Sequence, residues 1–433
     1  MSRGHASAAR CFPRAARLLG LAGGLLLSVA FAPAPAAAQD GEDERKVTVT
    51  TRAKPELDPS GVRLGSFVLF PSLGLGSEYT DNVFKTDDGE RDDFIHHLLP
   101  AARLVSDWSN HELELGVEAD IGRYADHGSE DYEDVSGWAN GRLDLTKSTS
   151  VFSGVLVESL HEDRGSPDAV AGRNPTTFDR LTATLGLAQR FNRVTLEGEA
   201  RYVELDFDDV RAAGGGRINN DDRDRDLYVG ALKLGYEIVP RYLAFVRGTV
   251  NERDYRSRTD DLGFDRDSHG YDLALGTEFD LTGVTFGEVH VGYREQAYED
   301  PGFGTLDGVS FGARLTSNVT PITTLQLLVD REIEETSVTT AEGYWSTSVK
   351  LRADHELLRN LILSADLGLA LADYEGIDRD DEIYMGGFGA TYQMNRYLGI
   401  TAGYRYEERA SAGRARDQDY VENALMVRVT GRL

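Results

Sequence analysis

The stretch His111–Tyr124, HELELGVEADIGRY, decides the fold of this chain. Its apolar and polar residues alternate with a period of two, so an extended strand places them on opposite faces. The apolar face holds Leu113, Leu115, Val117, Ala119 and Ile121, and the acidic face holds Glu112, Glu114, Glu118 and Asp120. Such a strand is stable where one face meets an apolar phase and the other meets water.

The same alternation recurs along the chain in segments of ten or more residues. Clear examples are the segments Phe67–Leu75, Tyr271–Leu281 and Leu361–Leu371. Strands this long are typical of tilted membrane strands, whereas strands of soluble sandwiches are usually shorter. No segment after Ala38 is apolar for long enough to form a transmembrane helix.

The connections between these segments alternate strictly between short and long. The short ones are Asp107–Asn110, Thr146–Thr149, Phe191–Arg193, Val239–Arg241, Thr282–Gly283, Asn318–Thr323, His355–Arg359 and Met394–Arg396. The long ones are Thr80–Asp92, Asp126–Asp134, Glu162–Phe178, Asp206–Asp224, Tyr255–Asp267, Glu299–Asp307, Glu335–Glu342, Asp373–Asp380 and Arg409–Asp419. Short periplasmic turns and long extracellular loops predict an all-β fold, an up-and-down antiparallel transmembrane barrel of about 18 strands with both ends in the periplasm.

The N-terminus predicts export. Residues 1–38 combine Arg3, Arg10, Arg14 and Arg17 with an apolar run and the ending Ala36-Ala37-Ala38, which is typical of a signal peptide cleaved before Gln39. Residues 39–64 are then expected to form a short, flexible periplasmic arm, and residues 65–433 the barrel. The location expected is the cell outer membrane.

Charge and cysteine content exclude several classes of protein. The only cysteine, Cys11, precedes the cleavage site, so the mature chain has no disulfide and no lipid anchor. Removing four arginines from the 46 basic residues leaves 42 against 73 acidic ones, and the net charge changes from −27 to −31. Nucleic acid is therefore not an expected partner.

Two sets of residues are candidates for function. The face opposite the apolar stripe predicts a charged lumen, lined by Glu112, Glu114, Glu118, Asp120, Arg142, Arg190, Glu197, Glu199, Arg201, Lys233, Arg247, Asp272, Glu278, Glu288, Arg294, Arg314, Arg352 and Arg405. Aromatic residues at strand ends predict interfacial girdles, with a sugar-binding role as the alternative. They are Tyr79, Trp108, Tyr124, Tyr202, Tyr298, Trp345, Tyr374 and Tyr397.

No pattern in the sequence predicts an enzyme, a cofactor or a metal site. GxSxG, HExxH and CxxC motifs are absent. The acidic runs NNDDRDRD and TDDGERDD lack the calcium-loop register, so solvated loops are the favoured interpretation over a specific cation site. Asp206–Asp224 and Glu162–Phe178 are the best candidates for a loop that folds into the lumen.

Several runs resemble a known family. They are RAKPELDPSGVRLGSFVLFPSL (Arg52–Leu73), EYTDNVF (Glu78–Phe84), DRDSHGYDLALGTEFDLTG (Asp265–Gly283) and VGYREQAYEDPGFGTLDG (Val291–Gly308). They are similar to the proteobacterial outer-membrane family called putative β-barrel porin type 2. The resemblance implies an outer-membrane barrel and supplies no catalytic residue. The chain departs from common outer-membrane practice by ending in Leu433 instead of an aromatic residue.

These observations predict a porin-like barrel that gives small polar solutes passive passage with a weak preference for cations. Two alternatives are an export conduit or accessory for an exopolysaccharide, and a structural or adhesive surface barrel. The expected partners are outer-membrane lipid, lipopolysaccharide, the barrel-assembly machinery and small polar solutes or a glycan. A homo-oligomer is compatible with the sequence.

Overall fold

A computed structural model describes residues 47–433, except residues 171, 213, 282 and 339. The predicted signal peptide and the first residues of the arm lie outside this part of the chain. Within it, no helix has the length and apolar character needed to cross a membrane.

In the described chain, eighteen long strands form one antiparallel barrel. In chain order they are β1 Phe67–Thr80, β2 Asp93–Ser106, β3 His111–Tyr124, β4 Tyr132–Thr146, β5 Thr149–His161, β6 Thr177–Phe191, β7 Val194–Phe207, β8 Arg225–Val239, β9 Tyr242–Tyr255, β10 Ser268–Leu281, β11 Thr285–Tyr298, β12 Thr305–Thr320, β13 Thr323–Glu334, β14 Gly343–Leu358, β15 Leu361–Glu375, β16 Asp380–Gln393, β17 Leu398–Ala412 and β18 Tyr420–Arg432. Each strand pairs with its neighbours in sequence. The barrel closes where β1 pairs with β18, from Ser72 opposite Arg432 to Thr80 opposite Ala424.

The predicted strand count and the alternation of turns and loops are confirmed. Several extracellular hairpins extend further than the sequence predicted, because polar residues also pair in the ladder beyond the apolar band. Asp380, for example, pairs with Ala412, which the sequence placed in a loop. The short periplasmic turns include left-handed residues such as Asn192 (φ 56°) and Arg241 (φ 74°), which reverse the chain tightly.

Few elements lie outside the barrel strands. Val62–Leu64 pairs back onto the start of β1, and Val210–Arg211 pairs with Arg217–Ile218 as a small hairpin in the loop after β7. In the described part of the chain, two single turns of 3₁₀-helix occupy Gly128–Glu130 and Asp221–Arg223 in loops.

The two faces of the sheet differ as the alternation predicted. Large apolar side chains such as Leu115, Leu185 and Leu275 are exposed on the outer face, where lipid would cover them. On the inner face, Trp138 lies flat over Gly116, where a Cβ atom would come within 2.1 Å of the ring. Glycine at such positions therefore lets aromatic rings lie along the inner wall.

Candidate functional site

All of the predicted lumen residues lie on the inner face. On β3, for example, Glu114 and Glu118 alternate with the exposed Leu115 and Val117, so the acids point to the opposite side of the sheet. The face is thus settled by strand parity, while a role in solute passage stays a prediction.

Most of these charges have a partner of opposite sign nearby. Lys233 Nζ lies 2.9 Å from Glu288 Oε2, and it also contacts Glu278. Arg294 pairs with Asp272 at 3.3 Å. Neighbouring strands supply both signs, so the charged inner wall is held together by ion pairs at many levels.

The acids of β3 also have local partners. Glu114 accepts hydrogen bonds from Arg103 at 3.1 Å and from the Trp138 indole at 3.0 Å. Asp120 lies 2.9 Å from His97 Nδ1. Glu114 and Asp120 are therefore paired locally within the wall.

The loop between β5 and β6, described at residues 162–170 and 172–176, crosses the lumen. One contact is with Lys85, from the loop between β1 and β2, whose Nζ lies 2.9 Å from Asp163 Oδ1. The same ammonium lies 2.8 Å from Glu407 Oε1 and 3.3 Å from Glu422 Oε2, on β17 and β18. Burial lowers the pKa of Lys85, but the carboxylates of Asp163, Glu407 and Glu422 outweigh it and raise this pKa well above its ordinary value.

The loop packs closely where it meets this ammonium. A Cβ atom on Gly165 would lie 2.4 Å from the Tyr420 hydroxyl, so a larger residue would have to displace that side chain. That hydroxyl donates a hydrogen bond of 2.6 Å to Glu407. Burial alone would raise the pKa of Asp163, but Lys85 holds it at about 2.

The far end of the crossing loop reaches the opposite wall. Asp168 Oδ1 accepts hydrogen bonds from the Thr336 hydroxyl at 2.7 Å and from the Ser337 amide at 3.0 Å. Thr336 and Ser337 follow β13, which lies about half the circumference of the barrel away from β5. The crossing loop thus reaches from one wall of the barrel to the opposite one.

The base of the crossing loop is fixed by two more contacts. Arg223 donates two hydrogen bonds to the Glu162 carboxylate, at 2.6 and 3.1 Å. The Arg173 amide donates to the Arg211 carbonyl at 2.7 Å, so the loop after β7 supports the loop after β5. The sequence favoured two loops for a constriction. The loop after β5 crosses the lumen, and the loop after β7 supports the crossing loop.

The N-terminal arm occupies the periplasmic mouth. The Val49 amide donates to the Thr324 hydroxyl at 3.0 Å, and both residues are fully buried on the inner side of the barrel. Lys54, also buried, donates to the Arg359 carbonyl at 3.1 Å and lies 3.4 Å from Glu356. From residue 47 onward the arm is therefore fixed against periplasmic turns, in contrast to the flexible arm that the sequence predicted.

The predicted aromatic girdle divides into two groups. One group lies on the outside of the barrel and consists of Tyr79, Trp108, Tyr202 and Tyr397. In this group, Trp108 packs on Phe67 with 5.4 Å between the ring centroids. Three residues point inward, which corrects the prediction for them: Tyr374 is buried, and Tyr124 and Tyr298 are half-buried. They share the parity of the inner-face acids on their strands.

Trp345 is corrected for another reason. It has outer-face parity, but only 4% of it is exposed. The ladder between β12 and β13 stops at Phe311 opposite Arg331, and beyond that point the ring packs against Gly308 with the Arg331 guanidinium 4.5 Å above it.

Several inner residues were missed by the sequence analysis, foremost Lys85, Asp163, Asp168 and Glu407. Lys85 stands next to the EYTDNVF motif, which is the one signal that could have singled it out. Among the described residues, no group of three or more His, Cys, Asp or Glu side chains is arranged to hold a metal ion.

Several solved structures are similar to this chain in architecture. OpdO of Pseudomonas aeruginosa is 17% identical, with a TM-score of 0.44 over 84% of this chain and 97% of that one. OccK2 (OpdF) of the same organism is 15% identical, with a TM-score of 0.46 over 84% and 98%. OccAB4 of Acinetobacter baumannii is 12% identical, with a TM-score of 0.43 over 84% and 98%.

No curated protein sequence matches the chain. The family model described as putative beta-barrel porin 2 matches residues 54–433, which include the whole barrel and the docked end of the arm. The outer apolar face, the charged lumen and the inward-folded loop of this chain are consistent with a porin family. The chain therefore belongs to the putative beta-barrel porin 2 family, and it is a porin-like β-barrel of the outer membrane.

Proposed function

We propose that the barrel gives small polar solutes passive passage through its charged lumen, with a weak preference for cations. The observation that carries this proposal is the chemistry of the inner wall, where charged side chains such as Lys233, Arg247 and Glu288 line the sheet in paired clusters. An 18-stranded barrel is wide enough to hold water. A hydrated and charged path favours small polar solutes over apolar ones.

The crossing loop supports a limit on solute size. Because loop 162–176 is tied to Lys85 on one wall and to Thr336 on the other, a solute has to pass beside it. A polysaccharide would have to thread the same reduced opening. A purely structural or adhesive barrel would have no need of a path at all, and it predicts negligible conductance.

Conductance measurements on the refolded full-length mature chain in planar lipid bilayers test the proposal. We expect single-channel currents and a reversal potential that indicates a small excess of cation over anion permeability. Absence of a pore, or a firm preference for anions, would reject it.

A matched pair of variants on β11 assigns the preference to the lumen. Glu288 faces inward beside Lys233, whereas Glu295 faces outward, where the Tyr271 hydroxyl donates to it at 3.1 Å. E288Q is expected to reduce the cation preference because it removes a lumen charge. E295Q is the control and should leave the reversal potential unchanged.

A further inference from the structure

A chamber lies inside the barrel between the crossing loop and the wall formed by β8, β9 and β13. Its lining includes Asp168 from the crossing loop, Asp222 and Asp261 from the loops after β7 and β9, and Arg225, Tyr255 and Glu334 from the strands. These residues come from distant parts of the sequence, and the crossing loop brings them around one space.

Three guanidinium groups of the chamber are neutralised within it. Arg223 pairs with Glu162 at 2.6 Å, and Arg266 pairs with Asp260 at 2.9 Å. The third, Arg253, contacts the Glu335 carboxylate, which also accepts a hydrogen bond of 2.9 Å from the Tyr255 hydroxyl. These cations are consequently not available to bind a solute.

The remaining charges of the chamber are mostly acidic. None of the ion pairs among the described residues includes Glu334, Asp222 or Asp261. Arg225 is the one guanidinium of the chamber that has no carboxylate of the described residues within ion-pair distance. It donates to the Arg223 carbonyl at 2.9 Å and lies over the Tyr255 ring at 5.6 Å.

Glu334 is the most telling of these acids. It ends β13, only 6% of it is exposed, and its Oε1 atom has no hydrogen-bond partner. A buried carboxyl oxygen without a partner is unfavourable, and a donor group from a ligand would satisfy it. Asp222 and Asp261 add two more acidic side chains to the same lining.

We propose that this chamber is a binding site for small organic ammonium solutes, whose N–H groups donate to the Glu334 carboxylate while Asp222 and Asp261 balance the charge. This inference rests on the proposed channel function and names the substrate class of the channel. Arg225, at the edge of the site, would suit a solute that also carries a carboxylate. The tyrosine face at Tyr255 provides an apolar surface for the carbon skeleton.

The test uses ethanolammonium chloride as the probe, added to the extracellular side of single channels at pH 7. We expect concentration-dependent interruptions of the current, with ethylene glycol and propionate ineffective at the same concentrations. E334Q keeps the shape of the side chain and removes its ionisable carboxyl group, and it should raise the half-blocking concentration about tenfold. E382Q, on the outer face, is the matched control and should behave as the unmodified chain.

A second variant and a second measurement keep the inference testable. D222N/D261N alters only loop residues, so this variant should fold even if E334Q does not. It should also weaken the block by ethanolammonium several-fold. Titration calorimetry on the detergent-solubilised barrel measures ethanolammonium binding without any current. A barrel that binds the probe but does not conduct would reject the proposed function and keep the site. Conduction without ethanolammonium binding, equal block by propionate, or unchanged block in both variants would overturn the site and keep the channel.

Discussion

The backbone amide of Val49 donates a hydrogen bond to the hydroxyl of Thr324 at 3.0 Å, inside the periplasmic end of the barrel. The Thr324 hydroxyl in turn donates to Asn318 at 2.7 Å, and the Asn318 amide donates to the Val47 carbonyl at 2.9 Å. This closed set of bonds ties the start of the described chain to the turn between β12 and β13. The arm is thus a part of the pore wall at its periplasmic mouth.

Releasing the arm should widen the periplasmic mouth. Val49→Asp places a carboxylate without a partner at a fully buried position, and we expect it to detach the arm. Single-channel conductance should then rise, because residues 47–60 no longer occupy the mouth. Arg52→Gln changes an exposed contact of the same arm and should have a smaller effect; equal conductance in all three chains would contradict the assignment.

Removing the Lys85 ammonium should release the crossing loop. Lys85→Met leaves the carboxylates of Asp163, Glu407 and Glu422 without their shared cation. Such an uncompensated cluster is expected to cost about 3 kcal/mol of stability. Urea unfolding in lipid vesicles should show that loss, and conductance should rise because loop 162–176 no longer spans the pore.

A control variant distinguishes the loss of the Lys85 contacts from the loss of any lysine. Lys147→Met alters the short turn between β4 and β5, far from the crossing loop, and should leave both measurements as they are. If Lys85→Met conducts like the unmodified chain, the loop is held by its other contacts alone.

The Lys85–Asp163 contact should persist in mild acid. The pKa of Asp163 is lowered to about 2, so its contribution to stability is complete above its ordinary pKa and is lost as the pH falls through about 2. Conductance should therefore show no change from this contact between pH 7 and about pH 4, and it should rise only below that range. Asp163→Asn cannot titrate, so a chain with this change should lack the acid transition; a rise already near pH 5 in the unmodified chain would argue against the contact.

The lipid face should not tolerate charge near the middle of a strand. Leu275, on β10, is 61% exposed on the outer face. Leu275→Arg should lower the free energy of unfolding in vesicles by about 2–4 kcal/mol, because the guanidinium enters the apolar band. Thr249→Arg, on the inner face of β9 opposite Asp272, is the comparison and should cost much less.

The aromatic residues show which positions the local sequence pattern can predict and which it cannot. Tyr124 and Tyr374 stand at strand ends, which suggested an interfacial ring, but their parity matches that of the inner acids. Counting residues from Glu114 along β3 places Tyr124 inside, so parity would have corrected the prediction. Trp345 differs, since its parity is that of the outer face. Its burial depends on the local separation of β12 from β13, which no sequence pattern indicates.

The sequence by itself determined the barrel, its strand count and the face of the sheet on which the predicted lumen residues lie. The physical reason is that alternation and connection length are local properties. The order of residues within one segment is enough to assign the two faces of a strand. Only the tertiary structure decided what fills the lumen. Asp168 meets Thr336, Lys85 meets Asp163, and Val49 meets Thr324 across separations of 78 to 275 residues. Such contacts form because closure of the barrel brings distant loops around one space, and this closure leaves no period in the sequence.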